Sequence, residues 1–450
     1  MPGVLIRNAT IVNEGKKFRG DILIQNGLIK KVSPSPIPTT DYSLPDTQII
    51  DAKGKYLLPG VIDTHVHFRE PGLVYKADIY TESKAAVAGG ITTFMDMPNT
   101  FPPVLTQELL EEKYTIASQK SIANYSFYMG TSNDNFDEVV KIDPKNVCGV
   151  KIYLGSSTGN MLVDNPASIE KLFGESNLLI AVHCEEESII KENAKRIKEQ
   201  YGDNPPPACH PVIRNEECCY VSSSHAVELA KKMGTRLHIV HVSTEKETSL
   251  FDNTIPLEQK KITSEVCPHH LWFSDKDYAE KGNMIKWNPA IKTEHDKTGL
   301  LQALLDNKID TIATDHAPHT HDEKEQAYFS CPSGGPMVQH SLIVMLELHK
   351  QGNISLEEVV RKMCHAPATC FHVEKRGFIR EGYWADLVLV DINSPWKVEK
   401  SNILYKCQWS PLEGETFHSK VTHTFVNGNL VYANGRFTET AKGQRVLFDR

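Results

Sequence analysis

No stretch of this 450-residue chain is apolar over the roughly eighteen residues that a bilayer crossing needs. Its opening, MPGVLIRNAT, also lacks the basic head and long apolar core of a secretory leader. Both absences predict a cytoplasmic protein with no membrane partner. Positive charge is in deficit as well. The 49 Lys and Arg stand against 57 Asp and Glu, a formal charge of −8, which argues against general affinity for nucleic acid and leaves room only for a local basic site that takes a small anion. The 10 cysteines show no CxxC spacing. Scattered along the chain, with one adjacent pair at Cys218 and Cys219, they predict reduced and buried thiols. A zinc site from Cys209, His210, Cys218 and Cys219 is the weaker reading.

What is present divides the chain into three parts. Residues 1–55 read as short strands, with an Asn26-Gly27 hairpin signal between two apolar runs. Residues 377–450 have the same texture, with a second signal at Asn427-Gly428. The two ends are expected to pack as one composite β-sandwich domain. Between them, residues 56–376 alternate short apolar runs (ITTFMDMPN, GVKIYLG, LLIAVHC, RLHIVHV, ITSEVCP, TIATDHA) with stretches of helical periodicity such as SIIKENAKRIKEQ and SHAVELAKKMG. That alternation predicts a (β/α)8 TIM barrel, whose chemistry sits at the C-terminal ends of the strands.

Metal-capable residues collect at those ends. They are His65 and His67 in DTHVHF, Lys151 in GVKIYLG, His183 in AVHC, His241 in HIVHV and Asp315 in ATDHAPH. One histidine near a strand end is more often a satisfied core group. Five strands delivering such residues to one rim predict a metal centre instead. Residues two apart on a strand face the same way, so His65 and His67 can share one ion. Four histidines, a carboxylate and a lysine exceed the needs of a single tetrahedral ion and favour two divalent ions, with zinc the default for His-rich ligation. An ammonium is repelled by cations. Lys151 is therefore expected to lose its proton and take up CO2 as a carbamate, whose two oxygens bridge the metals.

The stretches DTHVHFREPG and ATDHAPHTHDEK together resemble the two signature motifs of the dihydroorotases, in the cyclic amidohydrolase superfamily. The resemblance covers nearly the whole chain. It implies reversible cyclisation of N-carbamoyl-L-aspartate to dihydroorotate in pyrimidine biosynthesis, a binuclear centre, and a homo-oligomer. It also implies that Asp315 moves the proton between the attacking water and the ring nitrogen. Arg69, Asn99 and His319 match residues that hold the substrate carboxylate in that family, and Asn288 in KWNPAIK matches one that meets the ring. Ala290 and Lys292 depart from the usual Pro and Arg, which leaves the role of Lys292 open. Two rival readings are an allantoinase or dihydropyrimidinase/hydantoinase, which Arg69 and Asn99 disfavour, and an inactive amidohydrolase-like scaffold, which the complete ligand set disfavours. Among the remaining polar residues, Asp63 is expected to support the histidines, His316 and His321 to flank the site and support or line its loop, and His269 and His270 to stand behind it.

Overall fold

Eight parallel strands follow one another through the middle of the chain in the computed structural model, which describes residues 3–42, 46–155 and 161–450. They are Val61–Val66, Ile91–Asp96, Asn124–Phe127 continued by Met129–Gly130, Val150–Tyr153, Ile180–His183, Leu237–Ile239, Ile262–Val266 and Thr311–Ile312. Each pairs in parallel with the next in chain order. Just past its own end, the eighth segment returns to the first. His67 N donates to His316 O at 2.7 Å, and Thr314 donates from N and Oγ1 to the Asp63 carboxylate at 3.1 and 2.7 Å. Asp63 thus joins the two strands that carry His65 and Asp315.

Every residue of the first two strands is buried, as parallel strands covered by helices require. The covering helices begin and end where local chemistry dictates. Asp78 caps Ile79–Ala88 by accepting from Thr81 N. Asn215 caps Glu216–Met233, and Gly234, at φ 73°, ends it in the left-handed region where a Cβ would be penalised.

The two termini meet in one nine-stranded sheet. Tyr56–Pro59 lies at its centre, antiparallel to Leu387–Asp391 and parallel to Gly3–Asn13. It runs straight on into the first strand of the ring, so the sheet is covalently continuous with the strand bearing His65 and His67. Both expected hairpins are present. Asn26 and Gly27 have φ of 52° and 81°, and Asn427 and Gly428 have 49° and 76°, as a two-residue turn with two left-handed residues needs. Buried Asp386 ties sheet to ring. It pairs with Arg376, accepts from Asn427 N at 2.7 Å, and accepts from Asn124 Nδ2, on the third strand of the ring, at 3.1 Å. Past Gly443 the chain leaves the sheet and returns to the ring, where Tyr125 N donates to Gln444 O and Val446 N donates to Tyr125 O, each at 3.0 Å.

Candidate active site

At the C-terminal end of the ring, His65 Nε2 and His67 Nε2 both approach Asp315 Oδ1, at 3.2 and 3.1 Å. The His241 ring lies 5.3 Å from that of His65, and His183 Nδ1 is 2.9 Å from His241 Nε2. Lys151 completes the group, with Nζ 5.0 Å from the centre of the Tyr153 ring. These six residues line one cavity of about 610 Å³ together with Arg69, Asn99, Asn288 and His319, whereas Cys209, His210, Cys218 and Cys219, the weaker zinc reading, do not. Three of them, Arg69, His241 and Asp315, have positive φ of 67°, 41° and 45°. Such backbone costs on the order of 1 kcal/mol or more per residue and persists where its surroundings over-determine it.

The outer nitrogens of three of the four donor rings are held in place. His65 Nδ1 donates to Glu265 Oε1 at 2.8 Å, and His67 Nδ1 donates to Asn99 Oδ1 at 2.7 Å, so both inner Nε2 lone pairs point at one spot. His183 Nε2 donates to Glu185 Oε2 at 3.0 Å, which turns its Nδ1 inward. Burial alone would raise the Glu185 carboxyl, but Arg214 and His183 more than offset it and hold it at about 2. Glu265 also accepts from Thr64 Oγ1 at 2.9 Å and from the His241 backbone N at 3.3 Å, so one carboxylate organises three strands. Sequence reasoning missed both glutamates. The available signal was a charged residue inside an otherwise apolar run, in ITSEVCP and in the segment after AVHC.

At the other end of the cavity the charge is positive. Buried Arg69 donates from Nε to Pro318 O at 3.1 Å, and its Nη2 lies 3.2 Å from His319 Nε2. Among the described residues, no carboxylate lies within ion-pair distance of Arg69. Lys76, which the sequence reading passed over, donates to His319 Nδ1 at 3.0 Å and pairs with Glu323 at 2.8 Å. Burial, then Arg69, depresses His319 to about 3, so its ring is neutral. Trp287 and Asn288 form a further wall, and among the described residues the buried Asn288 Oδ1 has no hydrogen-bond partner. Gly334, at φ 126°, brings its backbone against Ala317 O, where an added Cβ would sit only 2.5 Å away.

Three further polar residues take up places outside the cavity. His321 does not line the site: its side chain is 47% exposed on a short helix. His316 is a structural group, bonded to Glu82 at 2.9 Å and accepting from Met337 N. Lys292 lies outside the cavity and bonds Ala290 O at 3.1 Å and Ser243 Oγ at 3.3 Å.

The donor set fits divalent metal. His65, His67 and Asp315 present ligand atoms within 4.8 Å of one another, all buried, with their far nitrogens already fixed by hydrogen bonds. Burial brings the Lys151 amine down to about 8, toward the neutral form that carbamate formation requires.

Comparison with known proteins agrees with this geometry. Residues 56–431 match the family described as the Amidohydrolase family. A dihydroorotase of Pyrococcus abyssi is 32% identical over 434 residues, covering 96% of each chain. Another, of Methanosphaera stadtmanae, is 29% identical over 413 residues, 91% of this chain and 92% of that one. Among solved structures, an L-hydantoinase (dihydropyrimidinase) from Arthrobacter aurescens matches with a TM-score of 0.91 at 28% identity, covering 97% of this chain and 98% of that chain. The chain belongs to the amidohydrolase family, and within it to the dihydroorotases.

Proposed function

We propose that this protein is a dihydroorotase, a hydrolase of a cyclic amide that interconverts dihydroorotate and N-carbamoyl-L-aspartate in pyrimidine biosynthesis. The observation that carries the reading is Arg69. A buried guanidinium with no carboxylate partner of its own among the described residues, opening on the same cavity as the metal donors, calls for a substrate with a free carboxylate. Dihydroorotate has one, and hydantoin and allantoin do not.

In this reading His65, His67, Lys151, His183, His241 and Asp315 hold two divalent ions, with zinc the metal suited to imidazole ligands and Lys151 acting as its CO2-derived carbamate. Bound there, they would supply Lewis acidity, polarising the ring carbonyl and acidifying water. The chain's own groups do the rest. Arg69 and the Asn99 amide nitrogen hold the substrate carboxylate, and His319 is kept neutral beside them. Asn288 Oδ1 accepts from a ring N–H. Asp315 takes a proton from water as its oxygen joins the carbonyl carbon, then delivers that proton to the ring nitrogen as the C–N bond breaks. Burial alone would raise the Asp315 carboxyl. His65 and His67 hold it well below the carboxylate range, so it starts the cycle as a base. Cyclisation runs the same steps backwards.

The reading includes a (β/α)8 barrel over residues 56–376, a composite β-sandwich from residues 1–55 and 377–450, a homo-oligomer and a cytoplasmic location. Among the described residues no helix is long and apolar enough to cross a membrane. The likeness to the Arthrobacter aurescens hydantoinase supplies the rival substrate class. Steady-state rates on dihydroorotate, hydantoin and allantoin, measured side by side on metal-replete protein, decide between them. Turnover of dihydroorotate far above the other two is expected, and preference for either carboxylate-free ring overturns the proposal.

A further inference from the structure

Beyond the last residue of the seventh strand, Ile262–Val266, the chain places Cys267, His269 and His270 in succession, the two histidines on the helical turn Pro268–Trp272. One ligand atom from each lies within 4.8 Å of the others, and all three residues are buried. Among the described residues, His269 Nδ1, His269 Nε2 and His270 Nδ1 have no hydrogen-bond partner. Buried ring nitrogens are ordinarily hydrogen-bonded, so unpartnered ones on two touching rings mark a place for an occupant. His270 Nε2 donates to Pro289 O at 3.2 Å, which leaves its Nδ1 as a lone pair. The His269 ring is stacked on Trp287 at 4.3 Å and 13°, and lies 4.3 Å from the His270 ring, so its orientation is fixed by packing. None of the three residues lines the catalytic cavity; Trp287, on which His269 stacks, is part of its wall.

We propose that Cys267, His269 and His270 form a separate site for one thiophilic divalent cation of the zinc class. One sulfur and two imidazole nitrogens are a tetrahedral zinc donor set with a fourth position left for water. Zinc–ligand bonds of about 2.0–2.3 Å set tetrahedral donors roughly 3.5 Å apart, and the three donor atoms here already lie within 4.8 Å of one another. Binding displaces the thiol proton to solvent and forms the sulfur–metal bond. Burial keeps both imidazoles neutral, so their lone pairs are available without loss of a proton. The ion would fix the face of Trp287 from behind.

The test reads sulfur ligation, which the catalytic donors cannot supply because they are imidazoles, carboxylate and a lysine. In the cobalt-substituted holoenzyme a near-ultraviolet thiolate-to-cobalt charge-transfer band is expected. It should vanish in Cys267→Ser with the loss of about one ion per chain, and persist in the Cys218→Ser/Cys219→Ser double variant. X-ray absorption at the zinc edge of the unaltered holoenzyme is expected to show a sulfur neighbour, and needs no variant to fold. A wild-type protein with no band and no sulfur neighbour, its cluster holding water only, overturns the site, as does a band that survives Cys267→Ser. Neither result depends on which ring the enzyme hydrolyses.

Discussion

Replacing Arg69 with methionine keeps the length and apolar stem of the side chain and removes the fork that would grip a carboxylate. Both residues carry a Cβ, so the φ of 67° at this position costs the same in either and the backbone is not the variable. Removing one partner of a buried, hydrogen-bonded charge pair costs about 2–5 kcal/mol. At 1.4 kcal/mol per tenfold that is roughly 30-fold to 4,000-fold in kcat/KM for dihydroorotate. Arg69 is only 7% exposed, so solvent screening is slight and the upper half of the range applies. Hydantoin has no carboxylate to lose, and its slow turnover should change by less than about tenfold. Arg69→Lys should fall between, keeping the charge but not the planar fork. Steady-state kinetics on both substrates, with metal content matched between wild type and variants, make the comparison. Equal losses on the two rings would refute the assignment of Arg69 to the carboxylate and move the hydantoinase reading ahead of it.

Asp315→Asn should retain most of the metal yet lose at least about a hundredfold in kcat, since general acid–base transfer is worth about 10²–10⁴; a near-normal rate rules out its proton role. Glu265→Gln should weaken metal affinity by about 10–100-fold in a competition titration against a chromogenic chelator, because it loosens the grip on the His65 ring. Unchanged affinity would mean the carboxylate acts only on the fold. Stripping the protein with a chelator should abolish turnover, and recovery should need both divalent metal and bicarbonate if Lys151 is carboxylated; full recovery without bicarbonate argues against the carbamate. Asp386→Ala strands Arg376, which is 3% exposed, without its counterion and should cost about 3–5 kcal/mol in a denaturant titration at unchanged slope. A loss under about 1 kcal/mol would show that the sheet is not held to the ring through this pair.

Much of the site was legible because its residues mark themselves locally. HxHxR at the close of an apolar run, and single histidines ending AVHC and HIVHV, combine strand periodicity with chemistry in a few residues. The Asn-Gly hairpins were legible for the same reason, since turn chemistry is local. The groups that hold the site together are not local. Glu265 reaches His65 across 200 residues of sequence, and only the ring closure that sets the seventh strand near the first makes them partners. Lys76 meets His319 across 243 residues, between two loops, and loops carry no periodicity from which to infer a neighbour. The eighth strand, with only Thr311–Ile312 paired, was recognisable by its motif and not by its length.

Arg69 shows where pattern reading reaches its limit even inside a motif. The two-residue spacing of His65, His67 and Arg69 would send all three side chains to the same face, and a guanidinium placed among metal donors would repel the ions they gather. At Arg69 the strand has ended and φ is 67°, so the alternation stops. The side chain donates instead to Pro318 O and lies against His319, on the segment that follows Asp315. That segment is carried by the eighth strand, which the Asp63–Thr314 bonds fasten to the first. The closure that brings Asp315 to His65 and His67 thereby also sets the cationic end of the cavity at a fixed distance from the donors. One joint between two strands positions Asp315, the proposed proton carrier, and Arg69, the proposed carboxylate anchor, together, and a change that opened it would be expected to lower turnover and substrate affinity in parallel.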